Sequence, residues 1–236
     1  MTQTIIREGG GRHISWWEQY VGSLRGQYGV SSNFSSEAIK EIDKSTNKIL
    51  NLENIPDFDS EIWNENAGLR IGAAVGSIQS GKTANMIGVA AKGLDRGFRI
   101  VIVLAGLKND LRTQTANRFC RDLLCKGEPM IENFVSLGSN HPLGNGKHGP
   151  RKDCWSPSIS GDVNHQASIV RRKLRKELGR GKSVLIVAKK NIQTLASLTD
   201  AISVLCQRIP ASELPLLIID DEFDEASVQR DPDAPT

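Results

Sequence analysis

The rhythm of apolar positions changes near residue 67, and the change divides the chain. Before it, Ile39, Ile42, Ile49 and Leu52 recur at spacings that one helix face can gather, and Pro56 closes the run. After it come short continuous apolar runs at 69–75, 99–105, 131–137, 184–188 and 216–220. Such runs, without polar alternation, predict strands covered on both faces, the pattern of a parallel sheet. Helices are predicted between them at about 82–95, 109–124, 164–178 and 191–207, the first closed by Gly97. The expected fold class is α/β: a doubly wound, mostly parallel sheet over 67–236, with 1–66 as an N-terminal helical appendage. Ligands of such sheets sit at the carboxyl ends of the strands. Segment 138–163 has no periodicity and many turn formers, and a structureless stretch that long is usually functional or disordered. Trp16 and Trp17 read as core or interface anchors in preference to a stacking platform.

Composition narrows the classes. With 236 residues, 39% of them hydrophobic, the chain can bury a real core. No apolar run approaches the roughly 18 residues of a membrane span, and residues 1–11 are polar, so no membrane partner and a cytoplasmic location are expected. Cys120, Cys125, Cys154 and Cys206 form no CxxC pair, which indicates neither a disulfide framework nor zinc. His141, His148 and His165 flank Cys154 in a glycine-rich stretch and read as a solvated loop. A net charge of +3 does not announce a nucleic-acid binder. The charge is nevertheless segregated: residues 171–190 hold nine basic side chains against Glu177 alone, and 213–236 is acidic.

Gly76, Ser77, Ile78, Gln79, Ser80, Gly81, Lys82 and Thr83 fit G-x-x-x-x-G-K-[ST] at every fixed position, after an apolar run and before a predicted helix. Glycines at both ends let the backbone wrap a phosphate with its N–H groups inward, and the helix start adds its positive dipole end. Gly76, Gln79, Ser80, Gly81, Lys82, Thr83 and Ala84 are the expected ATP-binding positions. Lys82 would reach the β and γ phosphates, and the Thr83 hydroxyl would ligate Mg²⁺.

The run at 216–220 ends in Asp220, Asp221 and Glu222, with Asp224 beyond. Carboxylates crowded at a strand end raise one another's cost of ionisation unless a cation stands among them, which points to a metal site. In one register Asp221 is the metal-side acid and Glu222 polarises the attacking water, with Asp220 additional. In the other, Asp220 holds the metal. Three candidate strands intervene between Lys82 and Asp221, a separation that suits a motor-type ATPase better than a compact small-molecule kinase.

Several segments together resemble the Z-one domain family. They are 77–85, including Gln79, Ser80, Gly81, Lys82, Thr83, Ala84 and Asn85; 100–106; 111–115; Lys189, Lys190 and Asn191 at a strand end; and 219–227, with Asp220, Asp221, Glu222, Asp224, Ala226 and Ser227. That family comprises bacterial proteins assigned as endonucleases, related to superfamily-2 helicase ATPases and linked with DNA repair and phage defence. The resemblance spans about 72–227. It implies a RecA-like P-loop core acting on DNA, with Arg112 and Gln114 in one segment touching the nucleic-acid backbone and Lys189, Lys190 and Asn191 in another. It also implies a second RecA-like domain or partner subunit that completes the ATP site, and so a domain truncated on its C-terminal side with weak turnover by itself. Phe223 departs from the alanine common among the helicase relatives, and no separate nuclease signature is found. Two rival functions remain: a nucleotide-gated binding module with little turnover, and a small-molecule phosphotransferase.

Overall fold

The computed structural model describes residues 15–29, 34–50, 81–125, 134–139, 172, 174–176, 178, 182–210 and 213–221. The expectations placed on 69–80, on Glu222 and Asp224, on 140–163 and on Cys154 and the three histidines around it lie outside these residues.

The chain folds as an α/β protein. Its strands are β1 (Ile100–Ala105), β2 (Phe134–Ser139), β3 (Lys182–Ala188) and β4 (Leu216–Asp221), in the spatial order β2-β3-β1-β4. β1 pairs in parallel with both β3 and β4, as the apolar runs predict. β2 is the exception: it lies at the edge and runs antiparallel to β3. An apolar run records burial and not direction, and an antiparallel edge strand on a parallel sheet is common.

Alternation along the strands sorts side chains into two cores. Val101, Val103 and Ala105 of β1 face the same way as Leu185 and Val187, with Leu217 and Ile219 packed against them. Ile100, Ile102 and Leu104 face the other way with Val184, Ile186, Ala188 and Leu216. All six β1 residues are buried, which explains a run without polar interruption. The second face is covered by Leu174, Leu178 and by Leu198, Ala201 and Leu205 of helix α5 (Ile192–Cys206). Arg172, Arg175 and Lys176 are exposed where Leu174 and Leu178 are buried, so this part of the basic stretch is the solvent side of an amphipathic segment.

The first face carries α1 (Trp16–Leu24), α2 (Ser36–Leu50), α3 (Lys82–Asp95) and α4 (Asn109–Arg118), the last continued by a π-helical turn at Phe119–Leu123. α3 lies between the sheet and α1 and α2, hence its apolar character all round: Ala84, Met86, Ile87, Ala90, Ala91 and Leu94 are all buried. A Cβ on Gly88 would stand 2.8 Å from Thr46 Cγ2, so glycine is what lets α2 approach. Lys92, a charge on this buried helix, is satisfied by α2: its Nζ is 2.7 Å from Asp43 Oδ1 and donates to the Asp43 carbonyl and to Asn47. The ammonium also sits 4.2 Å from the Trp17 ring centroid.

The N-terminal helices thus share one core with the sheet, for Trp16, Tyr20, Leu24, Ile39 and Ile42 belong to the same cluster as Val101 and Leu185. Trp16 is wholly buried, an anchor as expected. The buried face of α2 is Ile39, Ile42, Thr46 and Leu50, whereas Ile49 is 43% exposed. Ile49 was expected on that face; a spacing of seven from Ile42 tolerates either neighbour, and the seat beside α3 selects Leu50.

α1 is tied down at its start. Ser15 and Glu18 form a reciprocal capping box, and the Asp95 carboxylate accepts from the N–H groups of Trp16 at 2.7 Å and Trp17 at 2.9 Å. Burial outweighs those hydrogen bonds and pushes the Asp95 carboxyl up from 3.8 to about 6. The native state therefore keeps this proton longer than the unfolded chain does. Stability from this group is full below about pH 4 and is lost as pH rises through about 6, about 3 kcal/mol in all. Urea unfolding of the wild type and Asp95→Asn across that window should show the gap between them changing by this amount. Parallel curves would refute the assignment.

Candidate functional site

The site forms where the carboxyl ends of β1 and β4 meet the start of α3. Gly81 precedes that helix at φ 104°, a left-handed conformation that glycine adopts without strain. The N-cap makes no side-chain hydrogen bond to α3, and the first turn has no acid of its own, so the positive end of this 14-residue helix is not neutralised from within the helix. Lys82 and Thr83 open it. Ala84 is buried, and its carbonyl accepts the Tyr20 hydroxyl at 2.9 Å, so α1 braces the first turn. The Tyr20 phenol is pushed well above its ordinary range by burial, with the Asp122 charge adding to the shift, and stays a neutral donor.

β4 brings two adjacent carboxylates to the same level. In the register Leu104 lies opposite Asp220 and Ala105 opposite Asp221. Because successive strand residues point to opposite faces, Asp221 shares the α3 face with Ala105, and Asp220 shares the α5 face with Leu104. The side chains bear this out: Lys82 Nζ is 2.7 Å from Asp221 Oδ1, and Lys190 Nζ is 2.8 Å from Asp220 Oδ1. The two pairs differ in character. Lys82 is 62% exposed, so its pair adds little to stability and matters for where it puts the two charges. Lys190 is 9% exposed, and Asp220 is what makes its burial tolerable.

Asp221 and Thr83 line one cavity of about 160 Å³, together with Ala105, Gly106, Leu111, Gln114, Thr115 and Arg118. The structure therefore brings together Thr83, Asp221 and Gln114, with Lys82 paired to Asp221. It sets Asp220 and Lys190 apart from them on the other face of the sheet. Arg112 is half-buried on α4; its Nη2 lies 3.0 Å from Thr113 Oγ1, and burial lowers its pKa. Lys189 is half-buried. The Lys190 N–H donates to the Gly106 carbonyl at 2.9 Å. Asn191 caps α5, its Oδ1 accepting from the Thr194 N–H at 2.7 Å.

Sequence reasoning missed Arg118, Thr115 and Tyr20. The signal for the first two is the one-turn spacing of Leu111, Thr115 and Arg118 around Gln114 on a helix that leaves a strand end. Nothing in the sequence signals that Tyr20 reaches Ala84, 64 residues away.

Magnesium bound with phosphates takes one or two protein groups and completes its shell with phosphate and water oxygens. Thr83 and Asp221 on one cavity wall fit that demand. No group of three His, Cys, Asp or Glu poised for a metal occurs among the described residues, and a phosphate-held magnesium does not call for one. No helix among the described residues is long and apolar enough to cross a membrane. No family model, curated protein or solved structure matches the chain, so the functional assignment rests on the site's own geometry.

Proposed function

We propose that this chain is the ATP-binding and ATP-hydrolysing domain of a helicase-like, DNA-acting cytoplasmic protein, with a RecA-like, doubly wound core and a kinship to the Z-one domain family. The observation that carries the proposal is the meeting of Lys82 and Asp221 at 2.7 Å, beside Thr83, at the uncapped start of α3. Residues 139 positions apart need not meet; a phosphate site requires that they do.

The division of labour follows from the faces of the sheet. Backbone N–H groups at Gly81, Lys82, Thr83 and Ala84 receive phosphate oxygens, helped by the helix dipole, with Gly76, Gln79 and Ser80 completing the loop. Lys82 swings from Asp221 to the β and γ phosphates, a short move for an exposed side chain. Thr83 and Asp221 would hold magnesium, which would offset the phosphate charge. Glu222 polarises the attacking water. Asp220 is not a metal ligand in this scheme, because its side chain serves Lys190 on the opposite face. A second RecA-like domain or a partner subunit completes the site.

For DNA, the exposed Arg172, Arg175 and Lys176 and the half-buried Lys189 offer charge to a phosphate backbone. Arg112 remains a candidate; Gln114 lines the cavity, and Lys190 and Asn191 have the structural partners described above. The test is phosphate release by the full chain. Release is expected to require magnesium and to rise severalfold with DNA. Tight ATP binding without release under either condition would favour the nucleotide-gated module, and phosphate appearing on a metabolite would favour the phosphotransferase.

A further inference from the structure

Arg118 closes α4, and helical spacing fixes its company. Leu111, Gln114, Thr115 and Arg118 fall on one helix face and line the cavity whose other wall holds Thr83 and Asp221. The cavity, about 160 Å³, is smaller than the roughly 300–1,000 Å³ of a complete small-molecule site. With about 30 Å³ for each water of the liquid, it suits one phosphate group with a few waters, the end of a nucleotide and not the whole.

Each polar group of that wall can donate. Gln114 offers an amide, Thr115 a hydroxyl and Arg118 a guanidinium, while Thr83 opposite adds a second hydroxyl. The Arg118 Nε is buried and has no hydrogen-bond partner among the described residues. The Tyr20 phenol lies close enough to feel the Arg118 charge, but its hydroxyl is committed to the Ala84 carbonyl. A rigid, permanently charged fork on the wall of a cavity matches phosphate oxygens, which can take its parallel N–H groups in pairs.

We propose that Arg118, with Gln114 one turn before it, binds the terminal phosphate of the nucleoside triphosphate from within this chain, so that α4 tells a triphosphate from a diphosphate. The inference rests on Lys82, Thr83 and Asp221 forming the phosphate and metal site. The helix start and Lys82 reach the β phosphate that ATP and ADP share, whereas the cavity beside Asp221 has room for the additional one, which Lys82 and Arg118 would approach from two sides.

The experiment is a titration of the full chain, with magnesium, against a fluorescent non-hydrolysable ATP analogue and fluorescent ADP. Arg118→Gln is expected to weaken the triphosphate by about tenfold, the effect of one lost charge-assisted hydrogen bond, and to leave ADP within about twofold. Arg118→Lys, which keeps the charge and loses the fork, is expected to fall between. A purely structural role would weaken both nucleotides together and lower the melting temperature. An unchanged ratio of triphosphate to diphosphate affinity in Arg118→Gln and Arg118→Lys, with Lys82→Ala losing both nucleotides, would overturn the role of Arg118 and leave the phosphate site standing. Undiminished binding of both nucleotides by Lys82→Ala would overturn the phosphate site itself, and this inference with it.

Discussion

Lys82→Ala is expected to lower ATP hydrolysis by the full chain at least about 100-fold, the scale on which loss of one preorganised electrostatic contact shows in catalysis. The lysine is 62% exposed and its pair with Asp221 adds little to folding, so the variant should unfold with the wild type. Loss of hydrolysis without loss of stability is the signature of a functional cation. Phosphate release measured beside a thermal melt separates the two, and unchanged release would remove the central assignment. A drop in melting temperature of many degrees would instead mark Lys82 as part of the scaffold.

The second large effect separates neighbours in the chain. Asp221→Asn is expected to cut hydrolysis about 100-fold and to raise the magnesium concentration needed, because Asp221 faces Thr83 and the start of α3. Asp220→Asn removes the charge that matches Lys190, which is 9% exposed. Taking the carboxylate away from a buried ion pair costs about 3 kcal/mol, so this variant should lose stability while its magnesium requirement stays as in the wild type. Denaturant unfolding and magnesium titrations of both variants give the contrast. If Asp220→Asn shifted the magnesium requirement and Asp221→Asn did not, the metal would belong on the other face of the sheet, and the proposed division of roles would be reversed.

Much of the fold was legible because burial leaves a direct trace in composition. β1 is apolar at all six positions since both of its faces are covered, and residues 184–188 of β3 read the same way. β4 was expected to be covered likewise but is half-buried, with Ile218 53% exposed, because an apolar run does not tell a central strand from one at the end of the described sheet. The bounds of α3 at Lys82 and Asp95 agree with the sequence expectation, for glycine precedes the helix and Gly97 follows it. The direction of β2 was not legible, because apolar residues look alike along either strand direction. Ile49 was misplaced because adjacent positions on a helix differ by about 100°, and only the partner surface decides which of two neighbours is covered.

The candidate site divides in the same way. The identities of Lys82, Thr83 and the acidic strand end, and their chemistry toward phosphate and magnesium, are local properties that a short motif carries. The sequence by itself determined the α/β class, the order of elements and those candidate groups, because each depends on residues close together in the chain. The tertiary structure decided that Asp221 stands with Lys82 and Asp220 with Lys190, that Tyr20 braces Ala84, and that Arg118 lines the cavity. Each of these is a meeting of residues on different elements, settled by strand register and helix packing, which no window along the chain contains.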